Sequence, residues 1–507
     1  MPSPAPGPLE PRRTLRMRME EVRASSLGFG RGTVSYDAAW SLGYSAVVRV
    51  ATLAASIAIA RLTGPAGSGA LGVALQVTAL GSMLAAFNLP QSLARYLAAT
   101  DDPAMQRRLL KTSARMILVG SAICGLGIAI LSGWLGRHVY RDPSLARVLL
   151  WCGPLVLTTA SMSWVEGALQ GLRQFPALTR WGFLVSVLDL TFGVASAFLG
   201  VVGLIVSRTL IRAGAVVVAV TRWFRRPHFE APSDRADFVA TARPLLSFAA
   251  PTLLSAGIVL AAQTALRLLL VRSAGIEAAG HYQVADTVAQ GLTLVPAAAS
   301  VALMRSVASR EASGYAGLAA SLRRALERVV GWNIPLCLAL IGIVPWVLPV
   351  LFGAGFVPAR PVLVLLATAY GLSGPCAVFG AILLGRSEVW AGMAVNLSWS
   401  LVLLLAFGLG GTRFGATGAA LAVVAAYVVL FLVSLVLVVP RWSISIRTLL
   451  PVTLATFTSL GIGCACALSP SLPAPATAAV CLALGLAVFA RWGWATWALR
   501  GQPSVPR

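Results

Sequence analysis

Apolar residues run along this chain in stretches of about 20, separated by short polar or glycine-containing clusters, without the period-two alternation of a half-buried strand. Each stretch is long enough to cross about 30 Å of hydrocarbon as a helix, and most hold at most one or two charges. The pattern predicts fourteen spans: the first near 40–62, the second near 72–94, the seventh and eighth near 244–271 and 282–304, and the last pair near 447–469 and 476–495. The fold class expected is therefore an all-α integral membrane protein, with nearly the whole chain inside the membrane.

The polar punctuation repeats. RLTGPAGSGALGVA (61–74) returns 211 residues later as RSAGIEAAGHYQVA (272–285), with one shared spacing, R-x2-G-x4-G-x3-V-A. GALQGLR (167–173) is echoed by GAILLGR (380–386) at an offset of 213. Both members of each pair fall at corresponding hairpins six spans apart, the mark of a duplicated six-helix unit. Six is even, so the two bundles run in the same direction, a parallel transporter-type repeat with a cavity expected between its halves. The organisation predicted is a disordered basic tail over 1–34, a six-helix bundle over 35–226, a linker over 227–243, a second six-helix bundle over 244–440, and an appended helix pair with a tail over 441–507.

Composition narrows the setting. The 507 residues are 58% hydrophobic and 11% charged, with a mean hydropathy of +0.82, which no soluble fold of ordinary surface-to-volume ratio would hide. The formal charge of +23 reflects where the arginines lie: 29 of the 40 Lys and Arg fall on the side of the N-terminus, so both ends are expected in the cytoplasm. These clusters sit at helix ends beside anionic lipid headgroups and form no basic face for nucleic acid. The seven cysteines lie in apolar segments with no zinc spacing, so neither a metal, a cofactor nor a disulfide framework is indicated.

Charges at membrane depth cost several kcal/mol and are the first functional candidates. Arg49 sits roughly nine residues into the first span with no acid of its own helix in reach, and its guanidinium suits a phosphate group. Arg208 and Arg212 share a helix face, and counting from Gly200 pairs Arg212 with Asp189 and leaves Arg208 spare. Arg208, Arg212 and Arg267 are further candidates to contact an anionic substrate, against snorkelling of Arg267 to the outer interface, and Asp189 and Glu166 are either ion-coupling or structural, with Glu166 expected to pair with Arg173 or Arg180. Asp286 is either a cation or proton site or a cap. Tyr44, Gln76, Asn88, Gln170, Gln263, Gln290 and Asn396 are candidates to bind hydroxyls of a polar substrate, against ordinary interhelical hydrogen bonding.

IARLTGPAGSGALGVALQVTALGSMLAAFNLPQSLARYLA, GALQGLRQFPAL, PLLSFAAPTLLSAGI, AGHYQVA and VLPVLFGAGFVPARPVLVLLA, in that order over roughly 35–440, resemble the polysaccharide-transporter (oligosaccharide or O-antigen flippase) family of the multidrug/oligosaccharidyl-lipid/polysaccharide exporter superfamily. The resemblance implies fourteen helices and passage of a polyprenyl-pyrophosphate-linked oligosaccharide across the bacterial cytoplasmic membrane, with a polymerase and glycosyltransferases as partners. Leu266 stands where the family commonly has an acid before its basic residue.

No P-loop is present, since the only lysine, Lys111, lacks the G-x4-G-K context. Three alternatives stay open: a cation-coupled drug antiporter, a lipid II flippase, and a membrane-embedded polymerase or ligase. The last needs acid/base groups on a sizeable loop, and the predicted outer loops are short.

Overall fold

The computed structural model describes residues 34–224, 235–297, 300, 318–385, 388–441, 446–469 and 471–493, and among these it is helical with no strand. The helices are α1 (Val34–Ala86), α2 (Leu89–Ala98), α3 (Pro103–Trp134), α4 (Leu145–Gly171), α5 (Phe175–Ala197), α6 (Gly200–Ala219), α7 (Arg235–Ala289), α8 (Leu318–Phe352), α9 (Arg360–Gly385), α10 (Val389–Leu409), α11 (Gly415–Arg441), α12 (Ile446–Leu468) and α13 (Ala474–Val488). Among the described residues, twelve candidate membrane spans are long and apolar enough to cross a bilayer. Helix α7 begins inside the segment expected as a linker over 227–243, while the N-terminal tail over 1–33 lies outside the described residues.

Two of the helices are far too long for one crossing. Helix α1 has 53 residues and α7 has 55, each about 80 Å if straight. Each breaks once, at Gly64 (φ 67°) and Gly275 (φ 82°), a region that side chains with a Cβ rarely enter. These glycines are the first of the two in R-x2-G-x4-G, so the repeated motif is the instruction to break a double-length helix. Each break separates two apolar arms of one long span.

Helix α1 packs against α7 more extensively than any other described pair meets. Helices α3 to α6 gather around α1 and one another, and α8 to α11 interpack beside α7, giving two halves joined along the two helices that carry the repeat. In the first half, Trp164 and Trp181 are buried and donate from Nε1 to Ser113 Oγ at 2.9 Å and to the Ala215 carbonyl at 3.1 Å. The C-terminal pair packs on α8 with little side chain between backbones: a Cβ on Gly331 would lie 2.7 Å from Gly493 N, and one on Gly342 3.3 Å from Ala478 Cα.

Candidate functional site

Distances along α1 and α7 from their breaks order everything at the seam between the halves. At the break itself the second motif glycines cross. A Cβ on Gly69 would lie 2.0 Å from the Ile276 carbonyl oxygen, and one on Gly280 would lie 1.9 Å from the Pro65 carbonyl oxygen. Each hairpin thus rests on the other's backbone, related by the same symmetry as the sequence echo. Arg61 adds a tie, donating from Nε to the Leu351 carbonyl at 2.7 Å and from its terminal nitrogen to the Val350 carbonyl. His281 meets the Gly355 carbonyl at 3.1 Å. This end of the molecule is closed.

Further from the break lies a buried ion pair. Arg267 stands eight residues before Gly275 and Asp286 eleven after it, so the two arms bring them level. Arg267 donates to Asp286 Oδ2 at 2.8 Å, with side chains only 11% and 6% exposed. It also bonds Gln283 Oε1 and lies 5.6 Å from the Tyr282 ring. Asp286 accepts in addition from the Tyr370 hydroxyl at 2.6 Å and from Gln290 Nε2 at 2.9 Å. The expectation that Arg267 snorkels is therefore corrected. Folding the helix back offers the guanidinium a carboxylate at its own depth, a stronger partner than interfacial water. Asp286, expected as a cap or an ion site, is the counter-ion of this pair.

Deeper again, Arg49 and Gln290 are each fifteen residues from their glycine, about 22 Å along a helix. Arg49 Nη1 donates to the Gln290 carbonyl at 2.9 Å, where α7 passes into a 3-10 turn over Gln290–Thr293, and the same carbonyl accepts from Thr293 Oγ1 at 2.8 Å. Among the described residues Arg49 has no carboxylate at ion-pair distance, unlike Arg208 and Arg267.

Beyond this bridge opens a cavity of ≈ 540 Å³. Its walls include Asn88, Gln91, Thr252, Ser255, Asn396 and Tyr427, together with smaller apolar side chains. Asn88 sits at the break between α1 and α2, where it and Phe87 hold φ of 53° and 48°, a conformation unfavourable for residues with a Cβ. The break aims Asn88 across the seam: its Nδ2 donates to Thr252 Oγ1 of α7 at 3.0 Å and to Gln91 Oε1 at 3.1 Å. Asn396 Nδ2 donates to Ser255 Oγ at 2.8 Å. None of the described lining residues carries a charge.

A second, smaller void of ≈ 160 Å³ lies inside the first half, lined by Thr52, Ser186, Glu166, Asp189 and Arg212. Arg208 Nε lies 3.4 Å from Asp189 Oδ2, so Asp189 pairs with Arg208 and not with Arg212 as residue counting suggested. Arg212 Nη1 instead donates to Thr159 Oγ1 of α4 at 2.5 Å, within electrostatic reach of Asp189 and Glu166. Counting from a turn fixes depth to within one helical turn, about 5.4 Å, and a long arginine spans that distance. Which of two arginines on one face wins is settled by the neighbouring helix, here the hydroxyl that α4 offers. Glu166, expected near Arg173 or Arg180, faces this void.

The predicted polar set therefore divides. Asn88 lines the large cavity; Glu166, Asp189 and Arg212 line the small one; Arg208 and Arg267 are held in ion pairs; Arg49 bridges the seam. Gln76 bonds Thr264 at 3.4 Å across the seam, and Gln263 is half-buried one turn before Arg267. Sequence reading overlooked Gln91, Thr252, Ser255 and Tyr427, because single hydroxyls and amides in apolar helices carry no signature of which void they face.

A multi-pass helical membrane protein closed at one end by its crossing glycine hairpins, with a cavity toward the other, has the form of a transporter. The chain belongs to a family described as polysaccharide biosynthesis protein, whose pattern matches residues 58–361. Among solved structures it is similar to a lipid II flippase, MurJ, in an inward closed conformation, with a TM-score of 0.65 and 12% identity over 91% of this chain and 99% of that one. It is also similar to an inward-facing multidrug resistance MATE family transporter of the MOP superfamily, with a TM-score of 0.62 and 16% identity over 78% and 94% of the two chains. A MOP superfamily transporter from Pyrococcus furiosus aligns at a TM-score of 0.56 and 16% identity over 80% and 94%. At such identities these likenesses concern the fold. No curated protein matches the chain by sequence.

Proposed function

We propose that this protein is a flippase that carries a polyprenyl-pyrophosphate-linked oligosaccharide across the bacterial cytoplasmic membrane by alternating access. The observation that carries this reading is Arg49. It is a midspan guanidinium with no carboxylate partner among the described residues, held at the junction of the two halves where the cavity ends. An unneutralised cation at that depth is expensive unless an anion visits it, and a guanidinium matches phosphate oxygens in a bidentate manner.

On this reading both termini are cytoplasmic, the glycine crossing is the outer closure, and the cavity faces the cytoplasm. The substrate's pyrophosphate displaces the Gln290 carbonyl from Arg49, and rocking of the halves about the seam then parts Gly69 from Gly280. Anionic headgroups surround the basic cytoplasmic helix ends, and a polymerase and glycosyltransferases supply and consume the cargo. The chain moves its substrate without altering it.

A lipid II flippase has the same pyrophosphate chemistry and is the second reading, favoured by the fold likeness to MurJ. The test is flipping of a fluorescent polyprenyl-pyrophosphate oligosaccharide by the full chain in proteoliposomes. Arg49→Ala should reduce the rate at least tenfold, with Arg49→Lys retaining part of it. A wild-type rate in Arg49→Ala overturns the assignment of Arg49, and no transport of any lipid-linked sugar by the native chain overturns the reading itself.

A further inference from the structure

Resting on the flippase reading, we infer that the ≈ 540 Å³ cavity is a site for an uncharged glycan, so that the cargo's sugars nearest the pyrophosphate carry no acidic groups. The volume lies within the usual range of organic ligand sites, about 300–1,000 Å³. Its polar walls are amides and hydroxyls from both halves, and each is half used. Asn88 and Asn396 spend Nδ2 on Thr252, Gln91 and Ser255, and among the described residues no donor meets their Oδ1 atoms. Gln91 accepts through Oε1 and keeps its Nε2 to donate.

A sugar hydroxyl is both donor and acceptor, and pre-oriented amides that offer one of each satisfy it where a lone cation or carboxylate would not. The amides' mutual bonds hold them in place before the ligand arrives, so little ordering entropy is lost on binding.

An aromatic platform completes the site. The Tyr427 ring lies on the cavity wall, with Trp399 at 5.7 Å and Tyr370 at 6.1 Å behind it. Tyr370 is anchored by its bond to Asp286, which ties the platform to the Arg267–Asp286 pair and keeps it rigid. The ring, with Pro296 and Leu430 beside it, offers an apolar surface to the C–H face of a pyranose. Trp399 Nε1, buried behind the ring, finds no acceptor among the described residues.

Selectivity against acids follows from what the wall lacks. A uronate or other acidic sugar would enter a pocket whose described lining has no charge. Arg49, bonded to the carbonyl of Gln290 three residues before Thr293 of the lining, is engaged by the pyrophosphate, and Arg267 is neutralised by Asp286. Such a carboxylate loses water and finds amide and hydroxyl donors but no cationic partner on the described walls.

The experiment compares three probes on the purified full chain in nanodiscs: bare polyprenyl pyrophosphate, the same lipid with a neutral disaccharide, and the same lipid with a disaccharide containing one uronic acid. Binding is followed by tryptophan fluorescence. The neutral glycolipid should bind at least tenfold more tightly than the acidic one and more tightly than the bare lipid. Asn396→Ala and Asn88→Ala should remove the advantage of the neutral glycan while leaving bare-lipid binding unchanged, which separates loss of the site from loss of the fold. Asn396→Arg should shift the preference toward the acidic probe.

Equal or tighter binding of the acidic probe overturns the inference, as does a bare lipid that binds as well as the neutral glycolipid. Both leave the flippase reading standing. Failure of all three probes sinks that reading instead.

Discussion

Adding one methyl group at Gly280 should unlatch the closed end. The new Cβ would meet the Pro65 carbonyl oxygen at 1.9 Å, whereas a real Cβ essentially never comes within 3.0 Å of another heavy atom, so one hairpin must retreat by at least about 1 Å. The obstacle is backbone, not the tip of a flexible side chain, and Pro65 stiffens it. Overpacking of this kind costs about 1–3 kcal/mol. If the methyl is accommodated once the hairpins part, that penalty falls on the closed state alone and shifts the closed-to-open ratio by roughly 5- to 150-fold. Spin labels at Ala66 and Glu277, both exposed on the facing hairpins, would report the separation by pulsed dipolar spectroscopy. The native chain should give mainly a short distance, and Gly280→Ala a major longer population with flipping impaired. The reciprocal Gly69→Ala should do the same against the Ile276 carbonyl, 2.0 Å from its new Cβ. An unchanged distance distribution in both variants would refute the claim that the glycine crossing is what closes this end.

Asp286→Ala and Arg267→Ala should each destabilise the protein by about 3–5 kcal/mol in thermal unfolding, because either leaves a buried unpaired charge; the double replacement with Leu should cost markedly less than the two summed. A double-mutant cycle should give a larger coupling between Asp189 and Arg208 than between Asp189 and Arg212, measured by denaturant or thermal stability; the reverse order would restore the pairing counted from Gly200. Trp164→Phe should lose about 1 kcal/mol in the same assay, through the hydrogen bond to Ser113. Glu327→Gln, which breaks an i,i+4 pair whose Arg323 side chain is 54% exposed, should change stability by no more than about 0.5 kcal/mol.

The apolar stretches by themselves determined that this chain is helical and crosses a membrane many times, because a backbone in hydrocarbon must satisfy its own hydrogen bonds within each segment. The echo R-x2-G-x4-G-x3-V-A marked two corresponding places, and its glycines are where α1 and α7 break and where they cross. Polar residues at membrane depth were visible as exceptions, since composition makes each of them costly. Their partners were not visible. Arg267 met Asp286 because a helix folded back at Gly275, while Arg208 took Asp189 because α4 presented Thr159 to Arg212.

Only the tertiary structure decided that Asn88, Thr252, Ser255 and Asn396 face one void with no charge on its described walls. Which way a side chain points depends on helix rotation. A residue advances 100° around the axis for each 1.5 Å along it, so a slip of one residue moves a group from cavity to lipid while leaving the hydropathy pattern unchanged.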